Sequence, residues 1–205
     1  VYDGTNTRLL SEIDVPAMTV NTTTGTDTTF EVSVQLDYKL KAGYILKAST
    51  EKAENFNVFA EGLDWAYYTT SVRPESTNYT ANTGVASIAT ANTNLDGTGT
   101  IGTVLTAGAA ATYKGTAIES INIKALGTTT HGMVRIFIYN GTTNFLFTEV
   151  FIDPIVPTAT FNSFEHVIDF PTKFQLKADY LIKASTQNAE SFAIIAEGLD
   201  WKYPA

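Results

Sequence analysis

LKAGYILKASTEKAENFNVFAEGLDWAY, residues 40–67, returns near the end of the chain as LKADYLIKASTQNAESFAIIAEGLDWKY, residues 176–203. Eighteen of the 28 positions are identical at a constant offset of 136, so the chain holds two copies of one folding unit. Each copy closes on the same Ala-Glu-Gly-Leu-Asp-Trp segment. A duplicated β-unit without a nucleophile or metal cluster reads as a structural or binding module before it reads as an enzyme.

Outward from the repeat, the pattern is one of short alternating segments bounded by Thr, Asn, Gly and Asp. In Phe30 to Leu36 (FEVSVQL) every second residue is apolar, the period of a half-buried strand. The same period covers Glu119 to Ala125, Val134 to Ile138, Phe145 to Ile152, Phe164 to Phe170, Tyr180 to Ala184 and Phe192 to Ala196. Strands at spacings near ten residues, with no long stretch of period 3.6, predict an all-β fold: two tandem antiparallel β-sandwiches of jelly-roll type. Only residues 50–55 and 186–191 tolerate a helix, and both are short enough to be loop turns.

Residues 69–112 differ in composition, being mostly Thr, Ala, Asn, Gly and Ser. They read as a linker or arm, or as a weakly packed stretch laid over another surface. The domains expected are therefore 1–68, a first sandwich; 69–112, the arm; and 113–205, the second sandwich. Tyr2-Asp3-Gly4-Thr5 matches Tyr139-Asn140-Gly141-Thr142, and Asp-Gly or Asn-Gly between extended segments is a strong hairpin signal. Two strands precede this turn in the second copy and only Val1 and Tyr2 in the first, so the first sandwich is expected to lack its opening strands. Sequence before Val1, or strands lent by another chain, would complete it. Val1 to Gly4 is accordingly expected to lie against protein outside the 205 residues, and part of 69–112 to cross a subunit boundary or tether two domains.

Composition narrows the function classes. A 44% hydrophobic and 17% charged chain is built to fold rather than to stay disordered. Its net charge is −8 and its 13 Lys and Arg are scattered, so no patch would neutralise a phosphate backbone and nucleic acid is not an expected partner. No apolar run approaches the length of a membrane span. Cysteine is absent, which excludes disulfides and thiolate metal sites and fits assembly in a reducing cytosol.

The repeated segment holds the candidate site: Glu61, Asp64, Trp65 and Tyr67 in the first copy, Glu197, Asp200, Trp201 and Tyr203 in the second. Two readings stand. Acids beside an exposed aromatic ring grip sugars, the ring taking the apolar sugar face and the acids its hydroxyls. Alternatively the Gly makes a bulge at a strand end while the Trp caps the sandwich core. Glu149 with Asp153, or Glu61 with Asp64, could be imagined as a hydrolytic carboxylate pair, but chance pairs are expected among 21 acids. Asp96-Gly97 and Asp153-Pro154 are turn formers before they are calcium ligands. His131 belongs to a loop, and His166 takes an inward or interface place where the first copy has Val32. No catalytic residue, metal or cofactor is expected.

The pattern Lys-Ala-Ser-Thr-x-x-Ala-Glu-x-Phe, three variable residues and Ala-Glu-Gly-Leu-Asp-Trp spans Lys47 to Trp65 and Lys183 to Trp201. In this the chain resembles small β-rich virion proteins of tailed bacteriophages, accessory proteins that decorate or brace the capsid or form short head fibres. The resemblance implies a non-enzymatic structural protein, assembled in the host bacterial cytoplasm into the virion. Its implied partners are further copies of itself, as a homo-oligomer with a trimer expected, and the major capsid protein or another virion protein. The alternative is a tandem carbohydrate-binding module, with Trp65 and Trp201 as platforms for a glycan.

Overall fold

The computed structural model describes residues 1–2, 4–7, 9, 11–16, 31–34, 43–53, 55–60 and 78–202. The chain divides into two compact units, Val1–Asn21 with Thr26–Val58, and Thr22–Gly25 with Phe59–Ala205. No helix occurs among the described residues, and none is long and apolar enough to cross a membrane.

Eight strands build the second unit: β1 (Asn78–Ile88), β2 (Gly102–Thr106), β3 (Gly115–Ala125), β4 (Gly132–Tyr139), β5 (Asn144–Ile152), β6 (Glu165–Lys177), β7 (Leu181–Thr186) and β8 (Phe192–Lys202). They form two four-stranded sheets, β1-β8-β3-β6 and β2-β7-β4-β5. Antiparallel pairing joins β1 to β8, β2 to β7, β3 to β6 and β4 to β5. A long hairpin folded back on itself in this nested way is a jelly roll. Ile118, Ile121, Ile123, Val134, Ile136, Ile182, Ile194 and Phe192 fill the space between the sheets, all fully or almost fully buried. Each such side chain contributes about 1.5–3 kcal/mol when it leaves water. Phe147 on β5 and Phe170 and Phe174 on β6 stack across the sandwich at centroid distances of 4.8 to 6.0 Å.

The repeat now has a structural meaning. In the second copy it supplies β7 and β8, each the second strand of its sheet and flanked on both sides, β7 by β2 and β4, β8 by β1 and β3. Interior strands such as these bury most of their inward side chains.

The expectation for residues 69–112 is corrected from residue 78 onward. Asn78 to Ile88 pairs with β8 along eleven residues, and Gly102 to Thr106 pairs with β7. These are the first two strands of the second sandwich, which therefore begins at 78 and not at 113. The stretch looked unstructured because the inward positions of β1 are Asn82, Gly84, Ala86 and Ile88, small residues for the most part. The backbones of β1 and β2 approach too closely there for anything larger: a Cβ on Gly84 would run into the carbonyl of Val104 and stand 2.7 Å from the Leu105 Cα. Residues 69–77 lie outside the described residues.

Between β1 and β2, residues 89–101 cross the outer face of the second sheet. Asn92 donates its backbone N–H to the Thr186 carbonyl (2.8 Å), and Asn144 Nδ2 donates to the Gly97 carbonyl (2.8 Å). The low-complexity stretch thus does lie over a surface, that of its own sheet. It explains why Gly132 to Ile138 is buried at every position rather than at alternate ones: one face meets the core and the other meets this loop.

The first unit carries one clear echo of the second. Tyr2 bridges Thr7 and Ile45 as Tyr139 pairs with Asn144 and Leu181. Gly4 and Gly141 take φ of 95° and 96°, a left-handed conformation glycine adopts without strain. The Tyr2 and Tyr139 hydroxyls donate to the Gly4 and Gly141 carbonyls at 2.7 and 2.8 Å, and Lys47 and Lys183 rest over the two rings at 3.8 and 3.9 Å. Tyr2 is paired within its own unit, its N–H donating to the Ile45 carbonyl at 2.9 Å. Of the strand expected at Phe30 to Leu36, residues 31–34 are described; they form no strand, and Val32 and Val34 are exposed.

Candidate functional site

Strand parity decides the chemistry of the repeated segment. Along β8, Phe192, Ile194, Ala196, Gly198 and Asp200 are buried, whereas Ala193, Ile195, Glu197, Leu199 and Trp201 lie on the other face. Alternate residues of a strand point to opposite sides. Glu197 and Asp200 therefore diverge across the sheet and cannot act as a pair on one substrate.

Asp200 faces inward, near the edge of the sandwich, and its environment is polar and complete. Oδ1 accepts from Thr116 Oγ1 at 2.5 Å, from Asn82 Nδ2 at 2.8 Å and from the Gly108 N–H at 3.2 Å. Thr116 Oγ1 also lies 3.1 Å from the Gly108 N–H. The carboxylate ties β1, β3, β8 and the β2–β3 loop together at one point. A Cβ on Gly108 would come within 2.8 Å of the Asp200 carboxyl, so that glycine admits the acid against the backbone. This is the chemistry of a structural latch.

Trp201 sits on the outer face of the first sheet, not over the core. In register it lies between Tyr79 on β1 and Gly115 on β3. Its Nε1 is 3.3 Å from the place a Gly115 Cβ would occupy, so the indole spreads across the space that glycine leaves. Trp201 is half-buried by this packing while Tyr79 stays 58% exposed. Tyr79 and Trp201 are thus cross-strand partners on this face, with Lys177, the partner of Gly115 on β6, further along the same row. Glu197 is exposed on the same face, but four residues along a strand is about 13 Å. Of the three sequence candidates among the described residues, Glu197, Asp200 and Trp201, only Trp201 lies beside another aromatic residue in register. Glu61, Asp64, Trp65, Tyr67 and Tyr203 lie outside the described residues.

The remaining candidates have structural employment. Glu149 forms an ion pair with Arg135 at 2.8 Å, both side chains almost fully buried, and Arg135 Nη1 donates to the Asn92 carbonyl at 3.1 Å. Asp153, exposed, offers its backbone carbonyl to Thr129 Oγ1 at 2.7 Å. His131 is exposed in its loop and stacks on Phe151 at 5.4 Å. His166 lies opposite inward-facing Ile123 on β6, an edge strand, and is exposed rather than buried in the core.

Asp96 accepts from the Thr98 N–H and hydroxyl at 2.9 and 2.7 Å, and these two bonds hold its carboxyl below the usual carboxylate range. Asn92 Nδ2 donates to the carbonyls of Thr98 and Thr100 at 2.8 and 2.9 Å, so an amide sits where these oxygens converge. Glu165 is likewise lowered, first by its hydrogen bond from Lys124 and then by that from Asn122. No group of three or more His, Cys, Asp or Glu positioned to hold a metal occurs among the described residues.

Sequence reasoning missed Tyr79, Asn82, Gly115 and Thr116. Each is brought to β8 by cross-strand pairing, which period alone does not reveal. The inward direction of Asp200 was available, since it shares the parity of Phe192, Ile194 and Ala196.

Compared with known proteins, the chain matches no family model and no curated protein.

Proposed function

We propose that this chain is a non-enzymatic structural protein of a phage particle, decorating or bracing the capsid through oligomeric contacts. The observation that carries the reading is the fate of the repeated acids: Asp200 is consumed by three hydrogen bonds that lock strands together, and Glu197 points the other way. In the second copy these acids thus serve architecture, as expected of a part that bears load and presents surfaces. The resemblance of the Lys-Ala-Ser-Thr to Asp-Trp pattern to phage virion proteins supports the same reading, as do the acidic balance and the absence of cysteine. Sedimentation of the purified chain, alone and with capsids lacking accessory proteins, tests it. An oligomer that binds such capsids saturably is expected; a monomer that ignores them contradicts the proposal.

One observation favours a second reading, a carbohydrate-binding module. Tyr79, 58% exposed, lies opposite Trp201 in register on the outer face of the first sheet, and aromatic rings are where sugar faces stack. A glycan array with the chain and its Tyr79→Ala and Trp201→Ala variants separates the two. Saturable binding lost in both variants would favour the sugar reading.

A further inference from the structure

The turn between β4 and β5 carries a chemistry that its counterpart in the first copy does not. Asn140-Gly141 is the single Asn-Gly pair in the sequence, and the first copy has Asp3-Gly4 in its place. In an Asn-Gly pair the backbone nitrogen of the second residue can reach the side-chain amide of the first, because glycine has no side chain to block the approach. Asn140, Gly141, Thr142 and Thr143 are all exposed, and a Cβ on Gly141 would meet nothing within 4 Å.

The side chain of Asn140 is folded back over its own turn. Oδ1 accepts the N–H of Thr142 at 3.0 Å and the N–H of Thr143 at 2.9 Å. The ring closed by the first of these bonds contains both Asn140 Cγ and the Gly141 nitrogen. Holding two reacting atoms together in this way lowers the entropic cost of joining them. The two donors meet the oxygen on which negative charge develops when a nucleophile adds to Cγ, the arrangement of an oxyanion hole. Among the described residues no acceptor takes the Gly141 N–H and no partner holds Asn140 Nδ2. The turn itself is pinned, since the Tyr139 hydroxyl donates to the Gly141 carbonyl at 2.8 Å and the Asn140 N–H donates to the Thr143 carbonyl at 3.2 Å.

We propose that Asn140 is a site of self-modification, at which the turn converts asparagine to aspartate and isoaspartate without an enzyme. Base in the solvent takes the Gly141 amide proton. The nitrogen bonds to Asn140 Cγ, and the carbonyl electron pair moves onto Oδ1, where the N–H groups of Thr142 and Thr143 receive it. As the carbonyl re-forms, the Cγ–Nδ2 bond breaks and Nδ2, protonated by water, leaves as ammonia. Water then opens the cyclic imide. Breaking the bond from the ring nitrogen to Cγ gives aspartate at position 140, and breaking its bond to the main-chain carbonyl carbon gives isoaspartate. One water is consumed and one ammonia released, with no oxidant or reductant.

The first copy shows that the turn accepts the product side chain. With aspartate at the equivalent position, Gly4 takes φ of 95° where Gly141 takes 96°, and the Tyr2 hydroxyl donates to the Gly4 carbonyl at 2.7 Å. Aspartate at position 140 therefore keeps the hairpin and adds one negative charge to the net −8 of the chain. Isoaspartate lengthens the backbone by one atom inside the short turn that joins Tyr139 to Asn144.

The full chain, held native at mildly alkaline pH and separately unfolded in guanidinium chloride at the same pH, tests the proposal by charge-variant separation, peptide mapping and assay of released ammonia. Folding ordinarily slows this reaction by fixing the side chain away from the backbone. Here conversion in the native chain should be at least as fast as in the unfolded one, with one ammonia released for each acidic form and both products mapped to position 140. Asn140→Asp should fold as the parent does and migrate with the acidic form. Asn140→Gln, one methylene longer, should stay unmodified over the same time. Slower conversion in the native than in the unfolded chain overturns the proposal, as does an acidic form that maps to another residue.

Discussion

Asp200 accepts three hydrogen bonds on one carboxylate oxygen, from Thr116, Asn82 and Gly108, in a place that water reaches poorly. Asp200→Ala leaves those donors without an acceptor and should cost about 2–4 kcal/mol in urea unfolding, given about 1–3 kcal/mol for a buried polar group left unsatisfied. Asp200→Asn keeps an acceptor oxygen and should cost less than half as much. A loss equal in both variants would mean that charge and not hydrogen bonding holds the latch. Arg135 and Glu149 make the complementary case. Arg135→Met strands a buried carboxylate and should cost about 3–5 kcal/mol, whereas Arg135→Met with Glu149→Leu should recover most of it, because a buried pair is weak evidence of net stabilisation. Unfolding midpoints of the two variants check this; a double variant no more stable than the single one would show that the pair itself stabilises the outer face of β4.

At the scale of elements, β1 depends on a backbone contact more than on apolar burial. Gly84→Ala should destabilise the domain by about 1–3 kcal/mol, since its Cβ meets the Val104 carbonyl and the Leu105 backbone rather than a side chain that can turn away. A neutral effect in thermal unfolding would mean that β1 and β2 are farther apart than described. The same contact explains what was legible in the sequence. Strands β3, β4, β5, β7 and β8 carry Ile, Val and Phe at regular positions, and each was recognisable. β1 was hidden because close sheet packing there selects Gly and Ala, and β2 because five residues are too short to show a period. β6 was recognised only to Phe170, since Pro171 and Lys173, the latter at φ of 57°, interrupt an edge strand that resumes at Phe174. Of the site, the direction of Asp200 followed from parity, but the meeting of Trp201 with Tyr79 and Gly115 required the register between strands.

For the whole molecule, a closed jelly roll from residue 78 to residue 202 builds the second copy of the repeat into its core as β7 and β8. A capsid-bracing role would use the surfaces of that sandwich in contacts between subunits, with specific interfaces burying upward of about 1,000 Å². The central structural claim is that the Thr- and Asn-rich stretch and the second repeat fold together as paired strands. Native-state hydrogen exchange on the full chain, followed peptide by peptide, tests it most directly. Residues 78–88 should be protected in step with 192–202, since the two strands pair along eleven residues, and both should lose protection together as urea is raised. Fast, unprotected exchange over 78–106 beside a protected 192–202 would contradict the account.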